Sequence, residues 1–160
     1  MTPQEAVFVA LGSNLGDREA AVAFAATRLS NLLSDFRLSD VVETWPVGEG
    51  TDDQNLYLNA AAIGDTDLSA RALLDALLQI ERDFGRERPF KNAARTLDLD
   101  LILLGDDMVA DVGLEVPHPR FRERFFVLGP LAEIAPDLRD PVSGMTVGQL
   151  LRALLRDETR

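Results

Sequence analysis

The spacing of apolar and polar positions changes several times along this chain, and each change marks an element. Val7 to Leu11 is a short apolar run halted by Gly12-Ser13-Asn14-Leu15-Gly16, the pattern of a first strand ending in a turn. From Asp17, a residue suited to capping, apolar residues return at helical spacing: Val22, Ala25, Ala26, Leu29, Leu32 and Leu33. Phe36 to Thr44 alternates and carries Leu38, Val41, Val42 and Thr44, so it reads as a second strand. It leads into Trp45-Pro46-Val47-Gly48 and a polar, acidic loop ending near Gln54. Leu56 to Ile63 is a third strand. Ser69 caps a second helix with Leu73, Leu77, Ile80 and Phe84 on one face and Gly85 as its stop, and Thr96 to Leu104 is a fourth strand.

The order β-α-β-β-α-β predicts an α+β fold of the ferredoxin-like kind, an antiparallel four-stranded sheet with helices on one face. C-terminal additions follow: a hairpin within residues 106 to 116, a helix over Phe125 to Ile134, and an amphipathic helix over Thr146 to Arg156. In that last helix Val147, Leu150, Leu151, Leu154 and Leu155 point inward. There is no internal repeat or low-complexity linker. With 46% hydrophobic residues, the 160-residue chain suffices for one core, so residues 1–160 read as a single domain.

Two aspartates interrupt the fourth strand. Successive strand side chains face opposite ways, so Asp98 and Asp100 share one face while Leu97, Leu99 and Leu101 share the other. The leucines suit the helix-covered side, leaving the carboxylates on the open side with Cα atoms roughly 6.5–7 Å apart. Two like charges so close call for a cation between them or for protonation of one. A hard cation that keeps waters and bridges to phosphate, such as Mg²⁺, fits this donor pair. An isolated Asp-x-Asp reads more simply as an exposed strand face whose acids pair with nearby arginines.

Charge changes that balance. The formal net charge is −11, which disfavours nucleic acid as a partner. Against this background Arg82, Arg86, Arg88, Lys91 and Arg95 cluster between residues 82 and 95, and His118, Arg120, Arg122 and Arg124 form a second basic group. Arginine suits bidentate phosphate recognition, and acids that hold a metal beside arginines are the parts of a phosphoryl-transfer site. A solvated charged loop is the plainer reading of either cluster alone. No Gly-x4-Gly-Lys-Ser/Thr motif occurs, so a P-loop is excluded. No apolar run is long enough for a membrane span. With zero cysteines and no export signal, the expectation is a cytoplasmic protein.

Taken in order, GSNLGDR, ETWPVG, YLNAA, IERDFGRER, RTLDLDLILLG, VPHPR and FVLGPLAEIAPDL closely resemble the 6-hydroxymethyl-7,8-dihydropterin pyrophosphokinase family of folate biosynthesis, from about Val7 to Leu138. The resemblance implies a ferredoxin-like fold, two Mg²⁺ ions, and diphosphate transfer from ATP to the hydroxymethyl group of a reduced pterin with release of AMP. It implies that Asp98 and Asp100 hold the metal, with Arg86 and Arg95 also catalytic. Glu81, Arg86, Arg88, Lys91, Arg95, His118 and Arg124 fall on ATP-site positions. Thr44, Val47, Tyr57, Asn59 and Phe126 fall on pterin-site positions. Asn59 has both a donor and an acceptor for a pyrimidine-like edge, and an aromatic face stacks on a planar ring. Without the resemblance, Tyr57 and Phe126 would read as core and Glu81 as an exposed helix acid.

The loop PFKNAA at 89 to 94 stands where some members carry Arg-Trp-Gly-Pro, so Phe90 or Lys91 takes the lid position. Leu78, Gly113 and Glu115 replace polar nucleotide contacts of some members, and Trp45 replaces a proline. The chain is expected to act as a monomer on small molecules. Competing readings are a non-catalytic ferredoxin-like pterin- or nucleotide-binding module and a Mg²⁺-dependent phosphohydrolase.

Overall fold

The structure is a computed structural model that describes residues 4–13, 17–44, 57–86 and 97–158, with Arg86 and Glu158 described by backbone alone. Its elements run β1 (Glu5–Ser13), α1 (Arg18–Leu32), β2 (Ser34–Leu38), β3 (Val42–Thr44), β4 (Tyr57–Thr66), α2 (Ala70–Arg86), β5 (Asp98–Leu104), β6 (Val109–Asp111), β7 (Leu114–Val116), a short 3-10 turn (Phe121–Glu123), α3 (Phe125–Ile134) and α4 (Val147–Glu158). The main sheet is antiparallel with strand order β2-β4-β1-β5, and β3 continues along the same edge of β4 as β2.

The helix starts follow from local chemistry. The Asp17 carboxylate accepts the Ala20 N–H at 3.0 Å, and the Ser69 hydroxyl accepts the Ala72 N–H at 3.1 Å. Thr146 and Gln149 cap α4 reciprocally, each side chain accepting the other's backbone N–H, at 3.2 and 2.9 Å. The expected hairpin is β6 and β7, turning through Gly113 at φ 71°.

Five expectations need correction. Gly12 and Ser13 are strand residues rather than turn residues, and α2 runs through Gly85 to Arg86. The single strand over Phe36 to Thr44 is two. The Ser39 hydroxyl, not a carbonyl, accepts the Ala61 N–H at 2.8 Å, and the edge carries one residue more than β4 between Leu38↔Ala62 and Val42↔Asn59. The Glu133 carboxylate takes the Asp40 N–H that the break releases, at 2.9 Å. Leu155, expected inward on α4, is 41% exposed.

The fifth correction concerns the layers. Helices cover both faces of the sheet, not one. Val7, Val9, Leu11, Leu99 and Leu101 pack on Leu29 of α1 and on Leu73, Leu77 and Ile80 of α2. On the other face, Phe8, Ala61, Ile102 and Leu103 pack on Val127, Leu128 and Leu131 of α3 and on Val147 and Leu150 of α4. Each fully buried side chain of this size contributes about 1.5–3 kcal/mol, so neither layer is decoration. β5 serves both cores because its register shifts between Phe8↔Leu103 and Val9↔Leu101, which turns Ile102 and Leu103 to the second core. That second layer covers the Phe8 and Ile102 end of the sheet, whereas Asp100 nearer the opposite end is exposed.

Candidate functional site

Strand register assembles the site. Gly12 pairs with Asp98 on one side and with Asn59 on the other, and Asn59 pairs in turn with Val42. Asp98, Gly12, Asn59 and Val42 therefore form one row across four strands. The next row holds Asp100, Ala10 and Ala61, and Tyr57 stands opposite Thr44 at the margin. Directly paired residues share a face, so Asp98, Asp100, Asn59, Tyr57 and Thr44 lie on one side of the sheet. Neighbouring strands are about 4.8 Å apart, which separates Asp98 from Asn59 by roughly 10 Å of backbone with only Gly12 between them.

Two hydrogen bonds order this face. The buried Asn59 amide donates a short hydrogen bond to the Thr44 hydroxyl, which fixes the side chain and leaves its carbonyl oxygen as an acceptor. The Glu81 carboxylate on α2 accepts the Leu99 N–H at 2.7 Å, tying the helix to the backbone between the two aspartates. Asp98 is half-buried.

His118 follows a cis Val116-Pro117 bond and donates its backbone N–H to the Ile102 carbonyl at 2.9 Å. Its ring Nδ1 accepts the Arg120 N–H at 3.2 Å, which leaves Nε2 as the donor of the neutral ring. Burial pushes the imidazole below its ordinary value. Asp100 and Glu115 pull it up less strongly, and Arg124 and Arg120 push it down, so three of the expected residues, Asp100, His118 and Arg124, share one electrostatic neighbourhood. Arg124 is the N-cap of α3, and its guanidinium lies 5.7 Å from the ring centre of Phe126.

Arg122 does not join this group. Its guanidinium binds the buried Asp140 carboxylate through both oxygens, at 2.5 and 3.0 Å, and lies 4.7 Å over the Phe121 ring. Val47, Arg88, Lys91, Arg95 and the side chain of Arg86 lie outside the described residues, as do the 45–56 and 87–96 loops. Among the described residues no three His, Asp, Glu or Cys side chains form a metal cluster, and the acids that the register sets side by side on this face are the two strand carboxylates. That donor set suits a hard cation completing its shell with water and phosphate oxygen. A cavity of about 500 Å³, lined in part by Arg37, Asp65 and Pro136, opens at the other end of the sheet and contains none of these residues.

Gly12 is the member that the sequence reading missed, because it assigned the residue to a turn. The available signal was the β-strand pairing partner on each side, which only the register reveals.

The model of the 7,8-dihydro-6-hydroxymethylpterin-pyrophosphokinase (HPPK) family matches residues 8–136. A 2-amino-4-hydroxy-6-hydroxymethyldihydropteridine pyrophosphokinase of Bacillus subtilis is 38% identical over 144 residues, covering 89% of this chain and 85% of the relative. The Pseudomonas aeruginosa protein of that name is 41% identical over 150 residues, covering 92% and 90%. A crystal structure of Plasmodium falciparum HPPK-DHPS superposes with a TM-score of 0.75 over 98% of this chain at 11% identity. This chain spans 46% of that one, so the likeness is to part of a longer chain and bears on fold alone.

Proposed function

Because the chain belongs to the 7,8-dihydro-6-hydroxymethylpterin-pyrophosphokinase family, we propose that it transfers diphosphate from ATP to 6-hydroxymethyl-7,8-dihydropterin, giving the pterin diphosphate and AMP in folate biosynthesis. The observation that carries this reading is the single row that sets Asp98 beside bare Gly12 and Asn59, with Asp100 on the same face. Acids for a phosphate-bridging cation stand next to an amide able to read a heterocycle edge.

Asp98 and Asp100 would hold Mg²⁺, two ions by family likeness, which would supply positive charge to offset that of the phosphates. The remaining work is positioning and electrostatics, as in phosphoryl transfer generally. Asn59, oriented by Thr44, hydrogen-bonds the pterin edge, and Tyr57 and Phe126 supply aromatic faces, with Val47 from the adjoining loop. His118 donates from Nε2 to a phosphate oxygen, and Arg124 places fixed positive charge beside it. Arg86, Arg88, Lys91 and Arg95 are proposed as further ATP contacts, Arg86 and Arg95 at the transferring group. The strand order supports the ferredoxin-like reading of the sheet, and residues 1–160 are proposed to act as a single cytoplasmic, monomeric domain.

Glu81 acts through the strand in this scheme. Glu81→Ala removes the acceptor of the Leu99 N–H, and kcat is expected to fall about tenfold as the aspartates lose their fixed spacing. Glu81→Gln, which keeps an acceptor oxygen, retains most of kcat. Steady-state rates at saturating substrates separate the two.

The function itself is tested by AMP formation from Mg-ATP with and without the pterin. AMP that requires the pterin supports the transferase. Phosphate release without pterin would indicate a phosphohydrolase, and no turnover by the folded protein would indicate a binding module.

A further inference from the structure

Two residues in the last turn of α2 work against a helix. Asp83 sets a carboxylate where the helix dipole favours cations, and Gly85 is among the poorest helix formers. Contacts with α1 offset this. Arg28 Nη1 donates to Asp83 Oδ2 at 2.8 Å, and Gln79, one turn earlier on α2, donates from Nε2 to Asp83 Oδ1 at 2.7 Å. The Arg28 guanidinium also lies 5.6 Å from the centre of the Phe24 ring, and that ring meets Phe84 with centroids 5.3 Å apart. Glu81 stands two residues before Asp83, about 200° round the helix. The two carboxylates therefore border the apolar stripe of Leu77, Ile80 and Phe84 on opposite sides, Asp83 toward α1 and Glu81 toward β5. One short turn is thus held by α1 on one side and holds, on the other, the Leu99 N–H that lies between Asp98 and Asp100.

We propose that Asp83 is a positioning residue for the aspartate pair. Its bond to Arg28 fixes the last turn of α2 against α1, the turn keeps Glu81 on the Leu99 N–H, and that bond sets the backbone between Asp98 and Asp100. Two poor helix residues are tolerated here because the turn takes its order from α1 rather than from its own sequence. Resting on the transferase reading above, this role lets Asp83 set kcat through a second side chain and requires no contact with substrate.

A double-mutant cycle with Glu81→Ala tests it on the intact chain. Asp83→Ala is expected to lower kcat about fivefold, the scale of one part-buried ion pair, and the Asp83→Ala, Glu81→Ala double variant to be no slower than Glu81→Ala alone. Losses that multiply would overturn the proposal, as would unchanged kcat in Asp83→Ala. Arg28→Ala breaks the same pair without altering α2 and is expected to reproduce the loss. Wild-type turnover in that variant would overturn the proposal even if Asp83→Ala does not fold. Amide hydrogen exchange gives a reading independent of activity: the Leu99 N–H is expected to exchange about fivefold faster in Arg28→Ala while the amides of β4 keep their rates. Unchanged Leu99 exchange would overturn the proposal, and so would equally faster exchange throughout the sheet, which would make the pair a general stability element. Failure of the wild type to make AMP from ATP and the pterin would count against the transferase reading instead, and the exchange comparison would still decide whether Asp83 acts through Glu81.

Discussion

Replacing either Asp98 or Asp100 by alanine is expected to lower turnover about a thousandfold, the scale on which a preorganised charge at a phosphoryl-transfer centre acts. The fold is expected to survive. The opposite face of β5 is made by Leu97, Leu99 and Leu101, each no more than 6% exposed, and those contacts are untouched by either substitution. Asp100 is exposed, and substitutions at such positions usually change stability by less than about 0.5 kcal/mol. Removing one of two neighbouring carboxylates also relieves a like-charge repulsion. Steady-state kinetics beside a melting curve checks both halves. Near-wild-type turnover in either variant would remove the metal role from that residue. Unfolding of the Asp100→Ala protein would instead make the residue structural.

The largest stability effect is expected far from the acids, at Asp140. Its carboxylate is fully buried, and burial alone would raise its pKa. The bonds from Arg122, the Ser143 hydroxyl and the Val142 N–H outweigh that and hold it down at about 2, against an ordinary value of 3.8. Removing one partner of such a pair leaves the other charge without compensation, so Asp140→Ala is expected to cost about 3 kcal/mol. The sign of the pH dependence follows from the depressed value. The carboxylate's contribution, about 2 kcal/mol, is complete above pH 4 and is lost as pH falls toward 2. Urea unfolding of wild type and Asp140→Asn at pH 7 and pH 3 should show the stability gap narrowing at the lower pH. A constant gap would mean that the ion pair is not the source. Because Arg122 anchors the 3-10 turn just before α3, the variant should also loosen Arg124 and Phe126 and so weaken substrate binding.

Much of this architecture is legible in period and capping alone. The leucine face of β5 and the aspartate face opposite it follow from strict alternation, and Asp17 and Ser69 cap where their side chains suggest. What escapes is set by partners distant in sequence. Nothing local to Ser39 announces that its hydroxyl will replace a ladder carbonyl and split one strand into two. The helix Phe125–Ile134 lies where its pattern predicts, and its sequence FFVLGPLAEI, apolar except for Glu133, is that of a buried helix and hence of a second covered face. Arg122 looked like a member of a phosphate-binding cluster because basic residues adjoin it. Its partner lies 18 residues away, so composition points to the site, whereas geometry pairs it with the buried Asp140. In the same way, Asn59 was conspicuous as an amide inside an apolar strand, while Gly12 gained meaning only once register put it between Asn59 and Asp98.

The most direct test of the central claim is the identity of the products formed by the purified chain from Mg-ATP and 6-hydroxymethyl-7,8-dihydropterin, resolved by mass spectrometry. Pterin diphosphate and AMP in equal amounts are expected from the wild type, and neither from the Asp98→Ala, Asp100→Ala double variant in its folded state. ADP with a pterin monophosphate, or equal product from the double variant, would contradict it.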